Sequence, residues 1–165
     1  MSANALAGPA PVPFDLGALG EQMRAQGLGP VGKLEVEPLT GGQSNPTYRV
    51  LGADRPYVLR KRPPGPLLPS AHAIDREFRV MRALRGTDVP VPEAVMYCDD
   101  SSIVGTPFYL MEFLDGRVML DPSIPGASNA ERAAIYDEMN RVIAALHGVD
   151  PARVGLADFG RTGNY

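Results

Sequence analysis

Residues 34–52, LEVEPLTGGQSNPTYRVLG, hold two short runs of alternating apolar residues around a Gly-Gly-Gln-Ser-Asn-Pro centre. Tight hairpins usually close with two residues such as Asn-Gly. This connection is longer, is built of small residues, and keeps main-chain N–H groups at Gly41, Gly42, Gln43, Ser44 and Asn45. Glycine removes the side-chain obstacle, so an anion can come close to the main-chain dipoles of such a loop. A plain surface connection has the same composition, and the neighbouring segments must decide between the two readings.

Working outward, strands are expected at about 34–39, 47–52 and 57–62, the last reading YVLRKR. PPGPLLPSA (63–71) cannot continue a strand, because its prolines lack ladder donors. AIDREFRVMRALRG (73–86) has the period of a helix that stops at Gly86. PVPEAVMYCDD and TPFYLMEFL supply two more strands, joined by a turn near residues 99–102. Before the first strand, Asp15 can cap a helix marked by Leu16, Leu19 and Met23 and stopped at Gly27. Residues 1–13 are Ala/Pro-rich and read as a disordered tail. After a breaker-rich stretch, Ser128 and Glu131 form a capping-box pattern for a helix whose apolar face is Ile135, Met139, Val142, Ile143 and Leu146.

The bulk composition narrows the classes. The 165 residues suffice for one ordinary domain, and 44% hydrophobic with 21% charged residues is a globular composition. A net charge of −3 argues against nucleic acid as the main partner. No apolar run reaches membrane-spanning length, and the N-terminus lacks the basic and apolar regions of a signal peptide. The single cysteine, Cys98, fits a reducing, cytoplasmic setting and reads as a small strand residue. With only His72 and His147 beside it, a His/Cys metal site is not expected.

One carboxylate stands on the wrong face. On a helical wheel Ile74, Phe78, Met81 and Leu84 form an apolar arc, and Glu77 falls inside it. A carboxylate aimed at a core needs a cation or strong donors, or it must bend out to water. The neighbouring strand offers candidates: Val58 and Arg60 share one face of YVLRKR, and Leu59 and Lys61 the other. With Leu59 under the core, Arg60 lies beside the glycine loop, where its guanidinium can bridge Glu77 and a phosphate. Lys61 competes for that role, because a one-residue error in strand facing exchanges the two.

Taken in order, LTGGQSNPTYRV, YVLRKRPPG, DREFRVMRAL, VPVPE, GTPFYLMEFLDG and ALHGVD resemble the aminoglycoside phosphotransferase/choline kinase family, over roughly residues 30–165. PPGPLLPSAHAIDREFRVMRAL and LADFGRTGNY are closest to kinase-like domains associated with acyl-CoA dehydrogenases. The resemblance implies an α+β fold: a protein-kinase-like smaller lobe with a five-stranded antiparallel sheet and one packed helix. That lobe would span 14–112, with 113–127 as linker and 128–165 as the start of a truncated larger lobe. Carried over, Thr40, Gly41, Gly42, Gln43, Ser44 and Asn45 cover the nucleotide phosphates through main-chain N–H groups. Arg60 takes the place of the usual strand lysine, and Glu77 orients it. Met111 backs the adenine pocket, while the Glu112 carbonyl and Leu114 N–H pair with the adenine edge. The implied ligands are ATP and Mg2+, with a small hydroxylated or acyl-CoA-type acceptor.

Phosphoryl transfer in this fold also needs a base-position Asp and a metal-holding Asn and Asp. The family's His-Gly-Asp…Asn loop does not occur in the chain. His147 and Asp150 in LHGVD close a helix instead, and Asp158 of ADFG follows no catalytic loop. Catalytic and metal residues are therefore expected outside this chain, which reads as an N-terminal portion that is inactive alone. The competing readings are a pseudokinase-like module that binds nucleotide or acyl-CoA, and an unrelated α+β interaction domain. Self-association through the apolar face of the 129–147 helix is a further expectation.

Overall fold

The computed structural model describes residues 14–29, 31–39, 45–68 and 71–160. The expected tail at 1–13 and the loop residues Thr40, Gly41, Gly42, Gln43 and Ser44 lie outside the described residues. Five strands form an antiparallel sheet: β1 (Glu35–Pro38), β2 (Thr47–Leu51), β3 (Tyr57–Lys61), β4 (Ala94–Cys98) and β5 (Phe108–Glu112). Their spatial order is β1-β2-β3-β5-β4, so β3 sits in the middle. The helices are α1 (Leu16–Ala25), α2 (Ile74–Leu84), α3 (Ser101–Val104) and α4 (Asn129–His147).

The alternation along β3 assigns the two faces. Leu59 is fully buried, and its neighbours in the core are Leu110, Phe108, Met96 and Cys98, with Leu19 and Met23 from α1 and Val104 from α3. Arg60 points the other way, toward α2, whose Phe78 ring lies 5.7 Å from that of Tyr97 and 6.0 Å from that of Tyr109. The sheet is thus covered by α1 on one face and by the start of α2 on the other. Asp15 caps α1 as its type suggests, its carboxylate accepting from the Gly17 N–H (2.7 Å) and Ala18 N–H (3.3 Å).

Lys61 enters the α1 face, not the α2 face. It is 6% exposed; Nζ donates to the Val104 carbonyl and lies 5.1 Å from the Phe14 ring centre. Burial lowers its pKa, because the charged form loses water. The alternative in which Lys61 serves Glu77 is excluded by this facing.

The turn expected near residues 99–102 is a short helix, α3. Asp100 caps it by accepting from the Ser102 N–H (2.8 Å), and Gly105 ends it in the left-handed region at φ 84°. The Asp-Ser-Ser sequence that suits a turn suits an N-cap equally well, and burial of Val104 selects the helix.

Two compact units are present: Met1–Phe78 with Ala94–Phe113, and Arg79–Glu93 with Leu114–Tyr165. In the second, α4 begins with the expected capping box: Glu131 N–H donates to Ser128 Oγ (3.2 Å), and Ser128 N–H to Glu131 Oε2 (2.8 Å). Its Met139, Ile143 and Leu146 are about half exposed. Among the described residues no helix is long and apolar enough to cross a membrane.

Two glycines test the loop geometry around β3. Gly52 and Gly65 have φ of 94° and 97°, but a Cβ on Gly52 would meet the Lys33 carbonyl oxygen at 2.2 Å, whereas one on Gly65 would meet nothing within 4 Å. Gly52→Ala should therefore cost several kcal/mol, and Gly65→Ala only about 1–3 kcal/mol of backbone strain. Equal losses in denaturant unfolding of the two variants would contradict this packing.

Candidate functional site

The α2 face of the sheet gathers its polar groups around one carboxylate. Arg60 lies on β3 opposite Thr47 of β2 and Tyr109 of β5, and residues directly opposite share a face. Glu77 comes down onto them from the first half of α2. Arg60 Nε donates to Glu77 Oε2 at 2.7 Å, and Nη2 to Oε1 at 3.3 Å, a two-pronged contact between half-buried groups. Nη1 donates to Thr47 Oγ1 at 3.1 Å. Three of the five guanidinium N–H groups are so engaged; the other two have no partner among the described residues.

Glu77 receives two further donors, the Tyr109 hydroxyl at 3.0 Å and Asn45 Nδ2 at 3.0 Å. Burial by itself raises the carboxyl pKa, but the hydrogen bonds from Arg60, Tyr109 and Asn45 outweigh it and hold the group below the usual range. Tyr109 moves the opposite way: its burial and the adjacent carboxylate push the phenol far up, so it stays a donor. The hydrogen bond to Glu77 likewise raises the Arg60 pKa.

Asn45, expected to serve through its main-chain N–H, is 2% exposed and turns its side chain inward. Its Oδ1 lies 2.9 Å from His72 Nδ1, and its carbonyl accepts from Thr47 Oγ1 at 2.9 Å. Thr47, Tyr109 and His72 were not singled out in the sequence. Tyr109 and Thr47 carried a usable signal, since strand period 2 puts them on the face of Arg60 once the register is known. His72 lies in an irregular segment, where no period applies.

Farther along the same face, Val58 pairs with Met111 across β3 and β5, and Arg49 of β2 lies opposite Val58. Met111 is half-buried there. The Arg49 guanidinium sits 4.4 Å from the Phe113 ring centre and 3.7 Å from Glu37, and its buried Nε has no hydrogen-bond partner among the described residues. Glu112 ends β5 opposite Tyr57, half-buried, and Leu114 is 58% exposed as the second unit begins. The described part of the face is therefore polar at Arg60, apolar at Val58 and Met111, and rimmed by an arginine on an aromatic ring.

The two aspartates set aside in the sequence are both engaged by arginines. Asp158 binds Arg79 through both carboxylate oxygens, one at 3.1 Å. Asp150 accepts from the Ala152 N–H at 2.9 Å and lies 3.6 Å from Arg153. Among the described residues no group of three or more His, Cys, Asp or Glu could hold a metal ion.

Residues 35–165 match the family model of the phosphotransferase enzyme family, APH. The chain belongs to that family. A crystal structure of a candidate aminoglycoside phosphotransferase from Ralstonia eutropha superposes on this chain with a TM-score of 0.79 and 51% identity, over 92% of this chain and 44% of that one. Acyl-CoA dehydrogenase family member 10 of Mus musculus is 53% identical over 134 residues, 81% of this chain and 12% of that protein. Probable acyl-CoA dehydrogenase IBR3 of Arabidopsis thaliana is 46% identical over 138 residues, 81% of this chain and 17% of that protein. The chain thus spans a small part of these curated relatives and under half of the crystallised one. Its α+β architecture, with a five-stranded antiparallel sheet, is that of the kinase-like phosphotransferase fold.

A depressed carboxyl pKa fixes the sign of a pH effect. Stability contributed by Glu77 is fully present above the unfolded glutamate pKa, about 4.3, and is lost as pH falls through the lower folded value. The difference in unfolding free energy between wild type and Glu77→Gln should be constant above about pH 5 and shrink in stronger acid. A difference that widens on acidification would mean a raised pKa and a neutral Glu77.

Proposed function

We propose that this region is the ATP-binding lobe and linker of a small-molecule phosphotransferase that moves the γ-phosphoryl group of ATP to a hydroxyl acceptor. In this reading 14–112 is the smaller lobe, 113–127 the linker and 128–165 the start of the larger lobe. The observation that carries it is Arg60: held by Glu77 and Thr47 beside Asn45, it has two N–H groups that no described residue engages and that suit an oxyanion. Thr40, Gly41, Gly42, Gln43 and Ser44 would add main-chain donors to the phosphates. The buried Val58 and half-buried Met111, paired across β3 and β5, would back the base, and the Glu112 carbonyl and Leu114 N–H would pair with the adenine edge.

ATP bound there would supply the phosphoryl group, and this chain's own residues would hold and orient it. Among the described residues no group of three or more His, Cys, Asp or Glu gathers, and in this reading the magnesium ligands and the acceptor site are assigned to polypeptide outside 1–165. The acyl-CoA dehydrogenase names of the relatives favour a hydroxylated acyl-CoA-type acceptor. A cytoplasmic setting accords with one cysteine, Cys98, buried in β4 with its thiol pKa raised by burial. Self-association of an isolated 1–165 chain through the exposed Met139, Ile143 and Leu146 of α4 belongs to the same reading.

Chain 1–165 should bind Mg-ATP weakly without turnover, while the full-length protein should phosphorylate a hydroxylated acyl-CoA or sugar. Arg60→Ala in the full-length protein should lower turnover by about 100-fold or more, as loss of a preorganised charge at the phosphates does. Calorimetry and phosphate-transfer assays on the two chains decide. Turnover by the short chain would bring Asp150 and Asp158 back as catalytic groups. Binding without turnover in the full-length protein would make it a non-catalytic module, and no binding by either would end the nucleotide reading.

A further inference from the structure

His72 is held in a conformation that its residue type does not favour. Its φ is +57°, in the left-handed region where a side chain costs about 1 kcal/mol or more, and it is not a glycine. Two contacts fix it there. Its carbonyl accepts from the Ile74 N–H at 2.9 Å, which starts α2, and its ring meets the buried amide of Asn45. Backbone strain of this kind persists only where the surroundings over-determine it.

The direction of the hydrogen bonds can be worked out along the chain of groups. Glu77 is ionised and accepts only, so the Asn45 amide must present its nitrogen to Oε1, as it does at 3.0 Å. That turns Asn45 Oδ1 toward His72, where an acceptor requires Nδ1 to carry the proton. A histidine with Nδ1 as acceptor would oppose two lone pairs and force the amide to rotate, placing its oxygen against the Glu77 carboxylate. The order His72 Nδ1–H to Asn45 Oδ1, Asn45 Nδ2–H to Glu77, and Arg60 to Glu77 is therefore the arrangement that satisfies every member.

We propose that His72 is a positioning residue for the phosphate site: by donating from Nδ1 it orients the Asn45 amide, which ties the end of the glycine loop to Glu77 and so to Arg60. This rests on the nucleotide reading of Arg60 and adds to it a residue whose side chain bonds Asn45 rather than Arg60. The relay makes the loop end, the start of α2 and the β3 guanidinium one mechanical unit. A loop displaced at Asn45 would release a donor from Glu77, and a displaced α2 start would release the loop.

Substitutions at position 72 separate the donor from the backbone. Asn tolerates left-handed backbone and carries an N–H donor close to the position of Nδ1; Gly tolerates the backbone and carries no donor. In the full-length protein His72→Asn should keep nucleotide KM within about two-fold of wild type, while His72→Gly should raise it about five-fold, the loss of one neutral hydrogen bond. His72→Gly performing like wild type, or His72→Asn performing like His72→Gly, would overturn the proposal. Arg60→Ala is the control: if it leaves nucleotide affinity unchanged, the nucleotide reading fails whatever position 72 does. The relay itself is read independently by 15N NMR of the His72 imidazole in the full-length protein. A ring that carries a proton at Nδ1, its signal shifting in Asn45→Ala, is expected; a ring protonated at Nε2 alone would overturn the relay even with normal kinetics.

Discussion

A carboxylate carried on the apolar side of a helix is the constraint from which the rest of this lobe follows. Glu77 cannot settle among Ile74, Phe78, Met81 and Leu84 without donors, and the sheet beneath supplies them from two strands and the loop end. Arg60, Tyr109 and Asn45 reach it from β3, β5 and the residue that follows the glycine loop, so one ionised group sets where α2 begins and how the loop end lies. Half-buried ion pairs add little net stability on their own account, but removing one partner strands the other. That asymmetry suits a site whose parts must stay together when a charged ligand arrives.

Much of this was readable without coordinates, because strand and helix periods are rigid rules. The wheel placed Glu77 on the inner face, and the alternation in YVLRKR narrowed its partner to Arg60 or Lys61. Only the fold could choose between those, since a shift of one residue exchanges the faces; burial of Lys61 against α3 made the choice. The Ser128–Glu131 capping box and the Asp15 cap were local chemistry, and local chemistry survives into the fold. Asn45, Tyr109 and His72 were harder. Tyr109 depends on the pairing of β3 with β5, strands separated by two helices and a further strand. His72 depends on a backbone angle that no side-chain pattern announces. The segment read as a turn at 99–102 became α3 because its apolar residue found the core.

Residues 35–165 match the phosphotransferase enzyme family, and the chain matches one part of much longer relatives named as acyl-CoA dehydrogenases. What the named side chains add is the proposal that Glu77 acts by holding one guanidinium, that of Arg60, in place for the phosphates. A double-mutant cycle of Arg60→Met and Glu77→Gln, read as nucleotide affinity of the full-length protein, tests that claim most directly. If Glu77 acts through Arg60, the double variant should bind no more weakly than Arg60→Met alone. Two losses that simply add would contradict the account, and Glu77 would then serve the fold without positioning Arg60.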